Sequence, residues 1–328
     1  MGDAMFPPGM EEPATELDSR THARPIATCP GCGAADSAPT GAATPAFSVT
    51  LGGREFAQPS DSVRECVPCG LLYRTRPLSR AELDDYYSLA DFQKWETLSY
   101  HPTERAVLEV LRSLPRGSRL LDFGCSSGRL LAGLVGEYHC SGCEVNREAA
   151  DAAALKGLKI LHPSALVEQK PEQFEAIVMI DVFEHLSDPA ISTQKLFRLL
   201  KNDGLLLIVT GNGDAKACRL DPAQFWYFRT VEHLCMLTRR HADYLAGQCS
   251  AHLERWEELS HYDTPLREQL LQRIRQFAYW QFQRQTLFSR TLLPLLPRLR
   301  RAKHWPVAPP FTCSRDHVLA VFRKSPHA

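Results

Sequence analysis

The stretch that most constrains this chain is Arg119 to Gly128, RLLDFGCSSG, with Glu144 about twenty residues beyond its first glycine. An apolar run breaks into small residues and then resumes with helical spacing at Leu130, Leu131, Leu134 and Val135. Strand, tight loop and helix in that order open a nucleotide-binding βαβ unit. The alternation continues. It predicts strands at 119–123, 138–144, 158–161, 174–180, 205–210, 252–258 and 317–323. Helices are predicted at 103–114, 128–136, 146–156 and 239–247, with another from the Asp188-Pro189 start to Leu200, and Asn202-Asp203-Gly204 reads as the turn into the fifth strand. The expected fold is α/β, a doubly wound Rossmann-like seven-stranded sheet.

Two features of the loop select its ligand. A dinucleotide loop offers bare N–H groups to a pyrophosphate in the spacing G-x-G-x-x-G, with no acid beside it. Here the glycines are Gly124 and Gly128, Ser126 stands between them, and the strand ends in Asp122. A carboxylate there repels pyrophosphate and suits a cofactor carrying sulfonium and ammonium charge, S-adenosylmethionine, with Glu144 accepting from the ribose hydroxyls.

LLDFGCSSG, then GCEVN, FEAIVMIDVFEHLSDP and LKNDGLLLIVTGN, resemble the successive motifs of class I S-adenosylmethionine-dependent methyltransferases. The resemblance spans about Arg119 to Thr210, with echoes at Glu232-His233-Leu234 and in the last strand. It implies an antiparallel edge strand and places Asp122, Gly124, Cys125, Gly128, Glu144 and Asp181 on the cofactor. The sequence departs from the family at Ser126, where glycine is usual, and at Pro163-Ser164, where an acid often lies near the adenine.

Upstream, Cys29/Cys32 and Cys66/Cys69 form two C-x-x-C knuckles, each setting two thiolates on a tight turn. Short strands between them would complete a tetrahedral Zn2+ site. CPGCG, CVPCGLLYRTRPLS and AELDDYY resemble the zinc-binding front end of bacterial methyltransferases that include sugar C-methyltransferases. The expected organisation is a disordered stretch over 1–25, a zinc-ribbon module over 26–78, a helical connector over 79–118 and a methyltransferase domain over 119–328. Ser79 is placed to cap a helix containing Ala81–Tyr87. Tyr86, Tyr87, Phe92, Trp95 and Tyr100 either pack the seam between the parts or line a substrate cleft.

Lys plus Arg and Asp plus Glu are 38 each, which gives no reason to expect a nucleic-acid partner. The N-terminus lacks a signal-type apolar core and no run has the length of a membrane span, so a cytoplasmic location is expected. Of the 11 cysteines, the seven outside the knuckles (Cys125, Cys140, Cys143, Cys218, Cys235, Cys249 and Cys313) read as small buried hydrophobes. An insertion at 261–315 carries Ile274, Phe277, Ala278 and Phe282 at helical spacing, then Leu292, Leu293, Leu295 and Leu296. Its charges are mostly basic: Arg267, Arg273, Arg275, Arg284, Arg290, Arg298, Arg300, Arg301, Lys303 and Arg315 against Asp263 and Glu268. Such a segment could make peripheral contact with an anionic membrane, cap an acidic substrate, or pack as a helical hairpin with a solvated face.

Methyl transfer is an in-line attack on the sulfonium methyl. The enzyme must align the nucleophile and, for a hydroxyl or an acidic carbon, take up a proton. His185 and Glu184 follow the fourth strand, Glu232 and His233 the fifth. The resemblance favours His233 as general base beside Glu232, with His185 the other candidate, although Thr230-Val231 stands where sugar C-methyltransferases usually carry a tyrosine. The leading expectation is methyl transfer, at a hydroxyl, to a small-molecule or carbohydrate acceptor such as a sugar, glycan precursor or secondary metabolite. C-methylation of a nucleotide-linked keto sugar, RNA methylation and a catalytically silent cofactor-binding scaffold remain alternatives.

Overall fold

The computed structural model describes residues 25–91, 97, 99–162, 165–305, 308–309 and 311–326. The stretch 1–24, Phe92, Trp95, Pro163 and Ser164 therefore lie outside the described residues. At the front are β1 (Ser37–Pro39), β2 (Phe47–Leu51), β3 (Arg54–Gln58), β4 (Val63–Cys66) and β5 (Leu72–Arg74). β2 and β3 pair as a hairpin across Gly52-Gly53, both at positive φ (+56° and +79°), the two-residue turn whose twist matches the flanking strands. α1 (Arg80–Leu89) begins at Ser79 in a reciprocal capping box with Glu82. α2 (Pro102–Arg112) buries Val107 and Leu111.

The main sheet is built from β6 (Arg119–Phe123), α3 (Arg129–Ala132), β7 (His139–Cys143), α4 (Arg147–Leu155), β8 (Lys159–Leu161), α5 (Ala165–Glu168), β9 (Phe174–Ile180), α6 (Pro189–Leu199) and β10 (Leu200–Gly211). After these come α7 (Lys216–Leu220), β11 (Cys235–Met236), α8 (Arg239–Gln248), β12 (Ala251–Leu259), α9 (Leu266–Gln283), α10 (Leu287–Thr291) and β13 (His317–Lys324). The strand order is β12-β13-β10-β9-β6-β7-β8. β6 to β10 pair in parallel, while β13 runs antiparallel to both β10 and β12. The expected seven-stranded sheet is present, and its antiparallel strand sits one place in from the edge because β12 covers it.

Alternation along the central strands separates two cores. Leu121, Ile177, Met179, Leu206 and Ile208 face Phe197 of α6 and Leu245 of α8. Leu120, Ala176, Val178, Leu207 and Val209 face Val107 and Leu111 of α2 and Ala153 of α4. Helices on both faces make the sheet doubly wound. Cys125, Cys140, Cys143, Cys218 and Cys235 are buried as expected, and Cys249 and Cys313 are half-buried.

Three local expectations need correction. α3 ends at Ala132 rather than at 136, because Gly133 takes the C-cap and Gly136 turns at φ +92°. The Asn202-Asp203-Gly204 turn is a bulge inside β10: Leu200 pairs with Phe174 and Leu205 with Ala176, and Asp203 sits at φ +62°. Asp188 occupies the N-cap before Pro189, but its side chain makes no capping hydrogen bond.

The front module is stitched to the far chain. β5 pairs with β11 in a second sheet of order β1-β4-β5-β11, with Tyr73 opposite Cys235. That pairing brings the loop at 230–234 against residues that precede it by about 150 positions.

Candidate active site

The loop after β6 is built for close approach. Gly124 and Gly128 sit at φ +82° and +75°, and a Cβ on Gly124 would stand 2.4 Å from Val182 Cγ2. Ser126 is held at φ +47°, in the left-handed region that glycine enters most easily, which is the physical meaning of the departure noted in the sequence. Cys125 N–H donates to the Cys143 carbonyl at 3.1 Å, and its thiol fills the space beside Gly142. Glu144, just past β7, accepts from Ser126 N–H at 2.9 Å through Oε2 and from Val145 and Asn146 N–H at 2.7 and 2.8 Å through Oε1. Asp122 is buried at the end of β6. Burial, reinforced by the charges of Glu144 and Glu104, pushes its carboxyl up to about 7. An acid so placed gains strongly from a cationic ligand.

Asp181, the carboxylate that follows the neighbouring β9, is turned to two imidazoles. Its Oδ1 lies 3.5 Å from His317 Nε2 and its Oδ2 3.9 Å from His261 Nδ1. Burial alone would raise its carboxyl, but His317 at 3.5 Å and the charge of His261 hold it well below the usual range. Burial also works against a charged His317, yet Asp316, 3.3 Å from Nδ1, and Asp181 together carry it up to about 10.

The residues named as candidate bases converge. His185 Nδ1 meets the Glu232 carbonyl at 3.1 Å and its ring stands edge-on to His233, centroids 4.8 Å apart. His233 Nδ1–H donates to the Tyr227 carbonyl at 2.5 Å, a partner that can only accept, so Nε2 keeps its lone pair. Burial, then the neighbouring His185, holds the His233 ring well below its ordinary pKa, hence neutral. Glu184 is fully buried and accepts from Thr210 Oγ1 at 2.7 Å and from the Tyr227 hydroxyl. Burial, as the dominant effect, raises its carboxyl. Tyr87 packs edge-on against His185 at 5.7 Å, placing one of the seam aromatics on the cleft.

Two structural parts of this site were missed in the sequence. Tyr227 lies against His233 (4.2 Å) and His317 (5.2 Å), so it separates the two histidine groups. Arg74, with no exposed surface, donates through Nε to the His233 carbonyl at 2.8 Å and through Nη2 to the carbonyls of Phe228 and of Thr230, the latter at 3.1 Å. Burial pulls its guanidinium down to about 10, with Asp61 at 4.0 Å opposing the loss of charge. Arg74 stands in the CVPCGLLYRTRPLS stretch, which suggested no role for it, and Tyr227 lies in none of the motifs. Only the pairing of β5 with β11 brings Arg74 to the loop.

The four knuckle cysteines come together with every Sγ within 4.8 Å of the others. Cys29 and Cys69 are 3.6 Å apart, Cys32 and Cys66 3.4 Å. Four sulfurs at about 2.3 Å from one zinc ion would lie about 3.8 Å apart, so the set fits a tetrahedral Zn2+ with little movement. Gly33 and Gly70, at φ +76° and +77°, close the two knuckles by donating to the Cys29 and Cys66 carbonyls at 2.8 Å. The Cys69–Cys29 hydrogen bond is the main influence lowering Cys29 to about 6, where it is readily a thiolate.

Residues 95–247 match the sequence model of a family described as a methyltransferase domain. A ubiquinone biosynthesis O-methyltransferase of Paracidovorax citrulli is 30% identical over 112 residues, covering 31% of this chain and 47% of the relative. A tRNA (carboxymethyluridine(34)-5-O)-methyltransferase of Arabidopsis thaliana is 32% identical over 127 residues, covering 38% and 29%. The chain thus spans about half the length of the ubiquinone-biosynthesis relatives it matches, and less of the tRNA enzyme. Among solved structures, an S-adenosylmethionine-dependent methyltransferase from Mesorhizobium loti aligns at 12% identity with a TM-score of 0.43, covering 68% of this chain and 98% of its own.

Proposed function

The chain carries a methyltransferase domain, and from that premise we propose that it moves the methyl group of S-adenosylmethionine to a hydroxyl oxygen of a small polar acceptor. The observation that carries this reading is the loop between Asp122 and Gly128. Its left-handed glycines let backbone approach a ligand, its buried acid favours a cation, and Glu144 stands ready for ribose hydroxyls. Asp122, Gly124, Cys125, Gly128 and Glu144 hold the cofactor. Asp181 turns its oxygens to imidazoles and is assigned to the acceptor side.

S-adenosylmethionine supplies an activated methyl group and a good leaving group, so the chain's own residues need only align the acceptor and take its proton. His233 is suited to the proton: its tautomer is fixed by the Tyr227 carbonyl, its ring is neutral, and Nε2 is open. His185 and Glu232 position it through the shared turn. Oxygen rather than carbon as the acceptor atom is supported by the relatives named above, both O-methyltransferases. The four cysteines would hold Zn2+ as a structural ion that fixes the front module, and Arg74 passes that order to the His233 loop.

The insertion adds a surface. Leu266, Leu270, Ile274 and Phe277 recur along one exposed stripe of α9, and Leu287, Phe288, Leu292, Leu295 and Leu296 extend the exposed apolar area. Arginines border it, so its partner is an anionic phospholipid surface met in the interfacial plane. No helix among the described residues is long and apolar enough to cross a membrane.

Incubation with methyl-labelled S-adenosylmethionine and fractionated lysate tests the reading. Label in small hydroxyl-bearing material as a stable ether supports it. Label in RNA, on carbon, or nowhere overturns it in favour of the corresponding alternative.

A further inference from the structure

We propose that Asp181, His261 and His317 form a divalent metal site at the carboxyl edge of the main sheet, separate from the four-cysteine cluster, with open coordination positions facing the acceptor. Topology assembles it from distant segments. Asp181 follows β9, His261 lies two residues past β12, and His317 opens β13 opposite Gly211 and Leu259. One ligand atom from each of Asp181, His261 and His317 lies within 4.8 Å of the other two. The two measured approaches to Asp181, 3.5 and 3.9 Å, are close to the separation of about 3 to 3.5 Å that ligands bonded at about 2.1 Å adopt around one ion.

The polar atoms point to a missing partner. Asp181 Oδ1 and His261 Nδ1 are buried and make no hydrogen bond. Asp181 is held at φ +50°, a backbone conformation that aims its carboxylate across the strand end. His317, 2% exposed, turns Nδ1 toward the fully buried Asp316 at 3.3 Å, an outer carboxylate behind a histidine whose Nε2, turned to Asp181, a metal ion would take in place of its proton. His101 stacks on His261 at 4.4 Å and fixes the second ring. The burial gradient gives the site a closed and an open side, since His317 is sealed while about a third of the Asp181 side chain is exposed.

Two imidazoles and one carboxylate suit zinc, cobalt or iron rather than magnesium or calcium, which prefer all-oxygen sets. Three protein ligands leave positions for a water or an acceptor hydroxyl. Resting on the reading of hydroxyl methylation above, the role follows. Coordination lowers the pKa of the acceptor hydroxyl. Its proton would go to His233 Nε2 as the base proposed above, the oxygen would attack the methyl carbon as the C–S bond breaks, and S-adenosylhomocysteine would leave with the electron pair on sulfur.

The test adds Co2+ to protein carrying one zinc ion per chain, in the cysteine cluster, removes free metal by gel filtration and measures cobalt per chain with the visible spectrum. The expected result is about one retained Co2+ with nitrogen–oxygen d–d bands and no thiolate charge-transfer band. His261→Ala and Asp181→Asn should each lose it while keeping the zinc and the thermal midpoint of the parent. No retention by the parent protein, or retention by both variants, overturns the site. If a variant fails to fold, histidine ring resonances of the parent decide: they must broaden on adding Co2+, and unchanged resonances refute coordination. Retained Co2+ without any effect on turnover sinks the activating role, whereas retained Co2+ in a protein that methylates no hydroxyl sinks the proposed function and leaves the site standing.

Discussion

Asp122 is a carboxylate whose burial, with Glu144 and Glu104 nearby, raises its proton affinity to about 7. A cationic cofactor favours its ionised form, so binding releases a proton wherever the free protein still holds one. Affinity for S-adenosylmethionine should therefore rise as pH climbs from about 5 toward 7 and flatten above. Asp122→Asn should remove the slope, as calorimetry in buffers of different ionisation enthalpy would show. The sign for stability is opposite. A carboxyl raised above its unfolded value gives the ligand-free fold a contribution that is fully present below about pH 4, declines as pH rises from there toward 7, and is gone above 7. His233 gives a second prediction: His233→Gln should lower kcat by about a hundredfold to ten-thousandfold and leave cofactor affinity intact. His185→Gln, which removes only a positioning contact to the Glu232 carbonyl, should cost less. Retained turnover in His233→Gln beside lost turnover in His185→Gln at undiminished cofactor affinity, read from steady-state kinetics, would reverse the assignment. Asp122, Gly124, Gly128 and Glu144 were legible because they lie in one local motif. His261 and His317 were not, since 55 residues of insertion separate two histidines that the β12–β13 pairing then brings together.

At the scale of elements, the β5–β11 pairing makes the cysteine module part of the site. Arg74→Lys keeps a charge but cannot span the same three carbonyls, and charged hydrogen bonds are worth about 1.5–3 kcal/mol each. We expect a lower melting midpoint and reduced turnover at unchanged cofactor affinity. Normal turnover in that variant would show that the loop is ordered without the clamp. The insertion carries its own test. Phe277→Asp with Leu270→Asp should abolish sedimentation with phosphatidylglycerol vesicles, and added salt should weaken binding of the parent. Equal binding to neutral vesicles would contradict the charge argument. Helical periodicity located α9, but the orientation of its apolar residues did not follow from spacing. Ala278 is buried while Phe277 is about half exposed, because the 3-10 turn at Arg300–His304 sets Ala302 against Ala278 on the face opposite the apolar stripe.

For the whole molecule, the sheet, its doubly wound helices and the paired knuckles followed from patterns that repeat over short windows. The joining of front module to sheet did not, because strand pairing over about 150 residues leaves no local trace. If the cysteines bind zinc, the purified protein should carry about one tightly held ion at that site, and Cys66→Ser should release it and loosen the His233 loop together. The most direct measurement for the whole account is calorimetric titration of the protein with S-adenosylmethionine beside the variant Glu144→Gln, whose amide keeps one acceptor and turns a donor toward the ribose. The account predicts binding by the parent and at least about tenfold weaker binding by the variant, the worth of one charged hydrogen bond, with a lower melting midpoint because the amide cannot accept from all three backbone N–H groups that Glu144 holds. Absence of binding to the parent, or equal affinity of the two proteins, would contradict it.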